Sequence, residues 1–252
     1  MNGPRLSAVV VARNEEAQLE GCLAALTFCD EIVVVLDRTT DRSGEIALAH
    51  GARIIEGGWE LEGPRRNTGL DAITGDWILE VDADERVSPE LAAEITATIA
   101  SANGPAYYLI PFDNYIGQHR VRYGWGASWG VSAAVRLFTP GAKIWGDERI
   151  HPSLVLSGDR RWLTCRMEHY VDRDISDMIA RFDRYTGQRA RDLRQSGDIG
   201  TLRRNVGRVF ARFYKCYVLR KGYREGGWGV LIALFAGLFP LFSYLRARLE
   251  DD

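Results

Sequence analysis

The sequence predicts an α/β protein in which a mostly parallel sheet is flanked by helices, followed by a helical C-terminal extension. Two observations lead to this prediction. The first half of the chain alternates short apolar runs of strand length with amphipathic segments of helical period. From about residue 175 the pattern becomes helical and leads into a long uncharged segment. Because strands that alternate with helices form parallel sheets, we expect helices on both faces of the sheet.

The first 102 residues carry the parallel part of the sheet. Strands are expected at residues 6–12, 31–37, 53–55 and 76–82. Helices are expected at residues 15–26, 41–50, 64–75 and 88–101. The last helix has the clearest start, because Ser88 can cap it and Pro89 suits the first helical position.

Residues 103–172 have a different pattern, rich in Gly, Trp and Tyr. We expect an antiparallel extension with long loops. Its short β-like runs are residues 106–111, 133–138, 153–156 and 162–167.

The C-terminal part combines a basic helix with an apolar one. Helices are expected at about residues 175–195 and 201–221, and residues 226–245 are 20 consecutive uncharged residues, near the length that crosses a bilayer. Residues 203–224 contain no acid and eight bases: Arg203, Arg204, Arg208, Arg212, Lys215, Arg220, Lys221 and Arg224. This combination predicts association with an anionic membrane surface, peripheral or monotopic. A membrane span, or helices packed on the domain or in a dimer, are the alternatives.

Composition and charge narrow the classes of protein. The chain has 252 residues, 46% hydrophobic and 26% charged, which suits one large domain, or a domain with an appendage, and argues against disorder. Its four cysteines are scattered without metal-ligand or redox spacing, so we expect reduced thiols in the cytosol. No Gly-x-Gly-x-x-Gly or Walker motif occurs, so neither dinucleotide binding nor a P-loop is indicated. We expect no signal peptide and no nucleic-acid partner.

The strongest chemical signal is a pair of acids one residue apart. Asp82 and Asp84 follow a buried strand, while Glu15 and Asp37 follow two other strands. The carboxyl ends of parallel strands meet at one edge of a sheet, where ligands bind. Two such carboxylates can reach one Mg²⁺ or Mn²⁺, which would assist the departure of a diphosphate. The alternative is a pair of solvated turn carboxylates that cap the next helix.

Six segments carry a family resemblance: residues 7–16, 30–37, 39–41, 51–52, 66–67 and 81–88. Together they are similar to the inverting family 2 glycosyltransferases, and more closely to the bacterial lipopolysaccharide core β-1,4-glucosyltransferase group. The likeness covers about residues 5–100 and continues more loosely through residues 136–138, His151 and residues 169–170. It implies a GT-A type, Rossmann-like fold and a nucleotide-diphospho-sugar donor, usually a UDP-sugar.

The resemblance also implies roles for donor-binding residues. Val11, Ala12 and Glu15 would line the nucleoside pocket after the first strand. Asp37 would hydrogen-bond the base. Arg66 would lie near the diphosphate, where a guanidinium matches phosphate oxygens.

A metal site follows from the same likeness. Asp82 would face the ribose or the metal, and Asp84 would hold the metal. His169, which follows a strand-like run, could be a third ligand. A histidine packed in the core or supporting a ligand is the alternative.

The catalytic base is expected in residues 146–152. Inversion needs a carboxylate or histidine that takes the proton of the acceptor hydroxyl. The candidates are Asp147, Glu148 and His151, and ordinary loop charges are the alternative. The lipopolysaccharide group often has His-Glu where this chain has His151-Pro152.

A cluster of aromatic residues precedes this loop in the sequence. Tyr123, Trp125 and Trp129, separated by glycines, form either a sugar-stacking platform or part of a core.

These expectations combine into one hypothesis with three alternatives. Residues 1–102 would bind the nucleotide sugar, residues 103–172 would form the acceptor side, and residues 173–252 would associate with the cytoplasmic face of the bacterial inner membrane. The enzyme would transfer a sugar from a UDP-sugar to a hydroxyl of a membrane glycolipid. A polyprenyl-phosphate glycosyltransferase, a nucleotidyltransferase and a non-catalytic sugar-nucleotide-binding protein are the alternatives. The sequence leaves the oligomeric state open.

Overall fold

The structure is a computed structural model that describes residues 3–125, 131–148 and 152–250. The chain divides into two compact units. The first comprises Met1–Phe112 and Ala133–His169, and the second comprises Asp113–Ser132 and Tyr170–Asp252.

Strands and helices alternate in the first half of the chain, as the sequence predicts. The strands are β1 Leu6–Ala12, β2 Glu31–Asp37, β3 Arg53–Gly57, β4 Trp77–Asp82, β5 Glu85–Arg86, β6 Ala106–Ile116, β7 His119–Val121, β8 Ala133–Phe138, β9 Lys143–Trp145, β10 Leu154–Leu156, β11 Asp159–Trp162 and β12 Met167–Asp172. The helices are α1 Glu16–Ala24, α2 Ser43–Ala49, α3 Glu62–Ala72, α4 Pro89–Ser101, α5 Ile175–Ser196, α6 Leu202–Tyr214 and α7 Gly226–Leu249.

The main sheet of the first unit is parallel on one side and antiparallel on the other. Its strand order is β3-β2-β1-β4-β8-β6-β12-β5, with β11 also paired to β6. Strands β1 to β4 are parallel to one another, whereas β8 runs antiparallel to both β4 and β6. A separate hairpin is formed by β9 and β10.

Alternate residues of β1 face two different apolar layers. Ala8 and Val10 pack with the buried faces of α1 and α4 in one cluster, whereas Val9 packs in another cluster with Leu70 of α3. Because side chains alternate across a strand, these two clusters cover opposite faces of the sheet. The predicted fold, a mostly parallel sheet flanked by helices, is therefore confirmed.

Two local expectations differ from the structure. The predicted strand at residues 162–167 is wrong, because β11 ends at Trp162 and β12 begins only at Met167. Thr164 and Cys165, between them, instead donate backbone N–H groups to the Glu94 carboxylate at 2.8 and 2.7 Å. The predicted strand at 106–111 extends to Ile116, with buried and partly buried residues alternating along it.

The second unit is built around three long helices. Its buried cluster includes Met178 and Phe182 of α5 and Ile232, Ala233 and Ala236 of α7. A turn of π-helix and one of 3₁₀-helix connect α6 to α7. Of the described residues, one helical stretch, Gly222–Leu249, is long and apolar enough to cross a membrane, and 39% of its most apolar window is buried within the protein. A buried core helix of a soluble protein can also have this length and composition.

Candidate donor and metal site

The carboxyl ends of the parallel strands lie side by side, as the sequence predicts. In the sheet register Val11 is opposite Asp82, Ala12 is opposite Leu36, and Asp37 is opposite Gly57. The side chains that follow these strands therefore share one edge of the first unit. Ligands of open α/β sheets bind at such an edge.

The backbone at this edge holds two non-glycine residues in the left-handed region. Asn14 follows β1 with φ of 57°, and its side-chain oxygen accepts the Thr40 N–H at 2.8 Å. Arg38 follows β2 with φ of 49°, and its guanidinium bonds Asp37 and the Trp59 carbonyl. Asparagine tolerates this conformation, whereas for arginine it costs of order 1–2 kcal/mol. Such strain is concentrated at binding sites, where surrounding contacts hold it in place.

Asp37 is buried and already has several partners. Its carboxylate accepts from the guanidinium of Arg38 at 2.9 Å, from the backbone N–H of Trp59 at 3.2 Å and from Arg65 at 3.2 Å. Burial opposes ionisation, but the bonds and charge of Arg38 and the Trp59 N–H hold the pKa of Asp37 below its usual range. Asp37 is thus a buried, ionised anchor for the loop after β3. Val11 and Ala12 are also buried, and the Glu15 N–H donates to Ser43 Oγ at 3.0 Å.

Asp82 lies between two arginines. Arg66, from α3, donates to Asp82 Oδ1 at 2.9 Å and to Glu80 Oε1 at 2.8 Å. Arg136, from β8, donates to Asp82 Oδ2 and to Glu85. Burial raises the pKa of Asp82, but the two guanidiniums outweigh this effect and hold it well below its usual range. Asp82 is therefore ionised, and each of its oxygens has a guanidinium partner.

The two arginines belong to a larger buried ionic network that the sequence pattern does not predict. Lys143 donates to Glu80 Oε2 at 2.6 Å and to the Val135 carbonyl at 2.9 Å. The network pairs three acids with three bases, namely Glu80, Asp82 and Glu85 with Arg66, Arg136 and Lys143. Buried charges persist only when they are paired, so each member fixes the position of the next.

Aromatic rings cover the basic members of this network. The Arg66 guanidinium lies 4.8 Å from the centroid of Trp145, and Lys143 Nζ lies 4.5 Å from it. Trp145 Nε1 in turn donates to Glu80 at 3.4 Å. Strand β9, which carries Lys143 and Trp145, is thereby fixed to the end of β4.

Asp84 and His169 are brought together by the pairing of β5 with β12. His169 is opposite Glu85 in this antiparallel pair, which places its ring beside the preceding residue, Asp84. His169 Nε2 lies 3.4 Å from Asp84 Oδ2, and the Asp84 side chain is 36% exposed. Burial lowers the pKa of His169, but the hydrogen bond and charge of Asp84 raise it overall above its usual value. The structure thus brings together two of the three predicted metal ligands.

The donor set at this point suits a hard divalent cation. Ligand atoms that occupy adjacent positions around Mg²⁺ are about 3 Å apart, close to the separation of the Asp84 and His169 donors. Asp82 has about four lone-pair positions, and each oxygen keeps one beyond its arginine bond. Within the described ranges, no group of three or more His, Cys, Asp or Glu side chains is already arranged to hold a metal.

The loop with the candidate bases follows β9. Asp147 and Glu148 are exposed. Glu148 accepts from Ser153 N–H at 3.0 Å and Ser153 Oγ at 2.8 Å, and these bonds lower its pKa. Asp147 makes no hydrogen bond or ion pair with another described residue. His151 lies outside the described residues.

The aromatic cluster lies in the second unit. Trp125 packs against its apolar cluster and donates Nε1–H to the Val121 carbonyl at 2.7 Å, so the core-packing alternative holds for this ring. Tyr123 lies under the Arg224 guanidinium. Trp129 lies outside the described residues.

The chain is similar to known glycosyltransferases. The glycosyl transferase family 2 model matches residues 7–138. An uncharacterized glycosyltransferase of Rickettsia bellii is 25% identical over 98% of this chain and 86% of its own length. The lipopolysaccharide core biosynthesis glycosyltransferase LpsC of Rhizobium meliloti is 23% identical over 88% of this chain and 82% of its own.

A solved structure shares the fold. The crystal structure of S. aureus TarS 1–349 has a TM-score of 0.50 and 14% identity, covering 75% of this chain and 65% of that one. This likeness concerns the fold alone. The narrower resemblance to the lipopolysaccharide core group stays a prediction. The family model covers more than half of the chain, from β1 through β8, and includes both Asp82 and Arg136. The chain therefore belongs to glycosyl transferase family 2 and has its GT-A type, Rossmann-like fold.

Proposed function

We propose that this chain transfers a sugar, with inversion, from a UDP-sugar to a hydroxyl of a membrane glycolipid, and that the reaction depends on Mg²⁺ or Mn²⁺. One observation supports the proposal most. Asp84 and His169 meet beside an ionised Asp82 that Arg66 and Arg136 hold at the carboxyl edge of the sheet. Carboxylates and guanidiniums at that edge suit a diphosphate with its cation.

The donor would bind across the ends of β1, β2 and β4. We propose that Val11, Ala12 and Glu15 line the nucleoside pocket and that Asp37 accepts a hydrogen bond from the base. Support comes from the sheet register and from the ionised state of Asp37. Because Asp37 already has three partner residues, the base would take over one of these hydrogen bonds. Arg66 would direct part of its guanidinium away from Glu80 and Asp82, to which it now donates, and donate to the diphosphate instead.

Asp82, Asp84 and His169 would hold the cation. A bound divalent cation supplies charge neutralisation for the departing diphosphate. The Asp84 carboxylate is more accessible to solvent than the Asp82 carboxylate, and His169 is fixed by its strand pairing. Asp82 would contribute through the lone pairs that its arginines leave, or contact the ribose.

The base would take a proton as the new bond forms. The acceptor oxygen attacks the anomeric carbon, the bond from that carbon to the diphosphate breaks, and the hydroxyl proton passes to a side chain of the enzyme. Asp147, Glu148 and His151 remain the candidates. We favour Asp147, because both oxygens of Glu148 are used to bind Ser153.

The acceptor and the location are proposed from the name of a relative and from the basic and apolar C-terminal sequence. The name of the Rhizobium meliloti relative concerns the lipopolysaccharide core, which is made of membrane-bound glycolipid. We propose that residues 1–102 bind the donor, residues 103–172 form the acceptor side, and residues 173–252 attach the enzyme to the cytoplasmic face of the inner membrane.

The first experiment is a donor hydrolysis assay without acceptor. We expect slow release of UDP from UDP-glucose or another UDP-sugar of a panel, dependent on Mn²⁺ or Mg²⁺. Asp84→Asn should lower the rate at least a hundredfold. Asp71→Asn, which changes an exposed acid at the end of α3, is the matched control and should keep the rate. Equal, metal-dependent rates in wild type and Asp84→Asn would contradict the proposed site.

The base is tested with an acceptor-dependent assay. Asp147→Asn is expected to lower the transfer rate by about 10²–10⁴ while leaving UDP binding unchanged. Glu148→Gln and His151→Ala should have smaller effects. If His151→Ala has the largest effect, histidine rather than Asp147 is the base.

A further inference from the structure

Helix α6, in the second unit, exposes several large apolar side chains to solvent. Leu202, Val206, Phe210 and Tyr214 are all exposed, and Phe210 is 72% exposed. They recur every four residues, so they form one line along the helix, here called the α6 apolar row. A helix that only covered a core would place such residues inward.

The inward side of α6 is occupied by other residues. Asn205 is buried, and Val209 and Phe213 face α7 at Gly237. A Cβ at position 237 would lie 2.8 Å from the Val209 carbonyl oxygen, so glycine is what allows the two helices to approach so closely. The α6 apolar row is therefore additional to the packing of the unit and not a part of it.

A second line of residues on α6 is basic. Arg204, Arg208 and Arg212 also recur every four residues, and Arg204 and Arg208 are exposed. They are offset by two positions from the apolar row, and each residue advances about 100° around a helix, so this α6 basic row lies on the opposite side of α6 from the apolar row. No acidic residue occurs between Asp198 and Glu225. Helix α6 thus presents an apolar strip on one flank and a positive strip on the other, which is the pattern of a helix that lies in a membrane interface.

Helix α7, although it is apolar enough to span a bilayer, contributes most to the core of the second unit. Its buried residues are Gly229, Ile232, Ala233, Ala236, Gly237, Pro240, Ser243 and Ala247. A spanning α7 would have to leave these contacts and expose the buried faces of α5 and α6. This arrangement disfavours a span and leaves α6 as the surface helix.

We propose that α6 lies flat in the interface of an anionic bilayer, with the apolar row among the acyl chains and the basic row at the phosphate head groups. The proposal deepens the membrane attachment in the proposed function and identifies the surface responsible. Charge complementarity selects this occupant, because each Lys or Arg near an anionic surface contributes to binding. A second copy that covered the apolar row would leave the basic row, on the opposite side of α6, without an anionic partner.

The test is sedimentation of the full chain with vesicles of phosphatidylcholine containing about a quarter phosphatidylglycerol. Phe210→Glu should weaken binding at least tenfold, because it replaces the most exposed ring of the row by a charge of the wrong sign. Leu48→Glu, at a 67% exposed leucine of α2 in the first unit, makes the same chemical change and should bind as wild type does. Both positions are exposed, so thermal unfolding midpoints should stay unchanged.

A second variant separates charge from apolar contact. Arg204→Gln with Arg208→Gln should weaken binding to the anionic vesicles about thirtyfold and reduce its salt dependence. Wild type should bind pure phosphatidylcholine vesicles weakly. UDP release from the donor without vesicles should be unchanged in all these variants, so loss of vesicle binding is distinguishable from failure of the proposed enzyme activity.

Four results would overturn the proposal. Wild type could stay in the supernatant with anionic vesicles, or Phe210→Glu could sediment as well as wild type. The protein could resist extraction from membranes by alkaline carbonate, as a spanning chain does. Sedimentation velocity without lipid could show a dimer that Phe210→Glu dissociates, which would make the row an interface between copies.

Discussion

Asp82 illustrates how single residues are fixed at this site. The acid has a guanidinium on each oxygen, and Arg136 also serves Glu85, which is buried. Burial raises the pKa of Glu85 to about 7, while Arg136 acts in the opposite direction. Removing one arginine would therefore leave two buried acids with too little positive charge.

Arg136→Met is expected to lower the free energy of unfolding by about 3–5 kcal/mol, the usual effect of breaking a buried ion pair on one side. Arg136→Lys keeps the charge but loses the fork that reaches two acids, so a smaller loss is expected. Urea denaturation measures both. Arg160→Met, at an exposed position of β11, is the control and should change stability by less than about 0.5 kcal/mol. A loss below 1 kcal/mol in Arg136→Met would show that the network is not essential for stability.

The ligand roles of Asp84 and His169 can be measured without turnover. Calorimetric titration of the protein with MnCl₂ should show one site in wild type. Asp84→Asn should abolish measurable binding, because it removes the exposed carboxylate. His169→Gln should weaken binding at least tenfold, whereas His50→Gln, at a histidine of the first unit next to Glu20, should not change it. Unaltered affinity in His169→Gln would assign that ring to packing alone.

The sequence predicted the acids of this site but not their partners. Asp82 and Asp84 stand out because they follow an apolar strand, and strand ends meet at one edge. Glu80, Arg136 and Lys143 are isolated charges within or beside apolar runs, which is a signal of buried pairing. Which charges pair could not be deduced, because they come from β4, β8 and β9, up to 63 residues apart.

At the scale of elements, the approach of α3 to β9 depends on a glycine. A Cβ on Gly63 would lie 1.8 Å from the Gly146 carbonyl oxygen. Asn67 of α3 also bonds the backbone of Trp145 in both directions, at 2.8 and 3.0 Å. Helix α3 therefore sets the position of the loop that carries Asp147.

Gly63→Ala should push this loop outward and lower the transfer rate at least tenfold, with little change in UDP binding. Gly207→Ala, in α6 where no atom lies within 4 Å of the added Cβ, is the control and should leave the rate unchanged. Initial rates at saturating donor and a series of acceptor concentrations separate kcat from the KM for the acceptor. A rate like that of wild type would mean that the loop adjusts without effect on the base.

Glu31 joins several elements at the amino ends of the parallel strands, the end of the sheet opposite the candidate site. At the start of β2, its carboxylate accepts from Ser7 Oγ of β1 at 2.6 Å, from Arg53 of β3 at 2.9 Å and from the Thr74 N–H at 2.9 Å. Burial opposes ionisation, but these bonds lower the pKa of Glu31 from 4.5 to about 2.

Because the folded pKa is below the unfolded one, Glu31 stabilises the protein above pH 4.5 and loses this effect as pH falls toward 2. Glu31→Gln should therefore be less stable than wild type at pH 7, and the difference should shrink as pH falls from about 4.5. Thermal unfolding at a series of pH values measures this. A difference that stays constant with pH would show that Glu31 acts through its shape and not its charge.

The spacing of hydrophobic residues predicted most of the helices and strands, and the exceptions have physical causes. The predicted strand at 162–167 was apolar enough for β structure, but Glu94 of α4 takes the backbone N–H groups of Thr164 and Cys165. The direction in which α6 faces was also not predictable, because both of its sides carry apolar residues. The burial of Asn205 and the contacts of Val209 and Phe213 with Gly237 identify the inward side.

At the scale of the whole molecule, long strands cross the boundary between the units. Strands β6 and β12 each begin in the first unit and end in the second. Composition changes near residues 102 and 172, but tertiary contacts and not composition define a compact unit. The division into donor, acceptor and membrane segments therefore remains a prediction about function.

The state of the donor site should be visible in the stability of the whole chain. A ligand that binds only the folded state raises the free energy of unfolding by about 2.7 kcal/mol at a hundred times its Kd. UDP with MnCl₂ should thus raise the thermal midpoint by several degrees, and UDP alone should raise it less, because its diphosphate would then meet Asp82 and Asp84 without a neutralising charge. In Asp84→Asn the increment due to MnCl₂ should disappear, whereas Asp71→Asn should retain it. If MnCl₂ raises the thermal midpoint of Asp84→Asn as much as that of wild type, the cation binds elsewhere. If no UDP-sugar of a panel raises the midpoint, the edge of the sheet binds a different nucleotide.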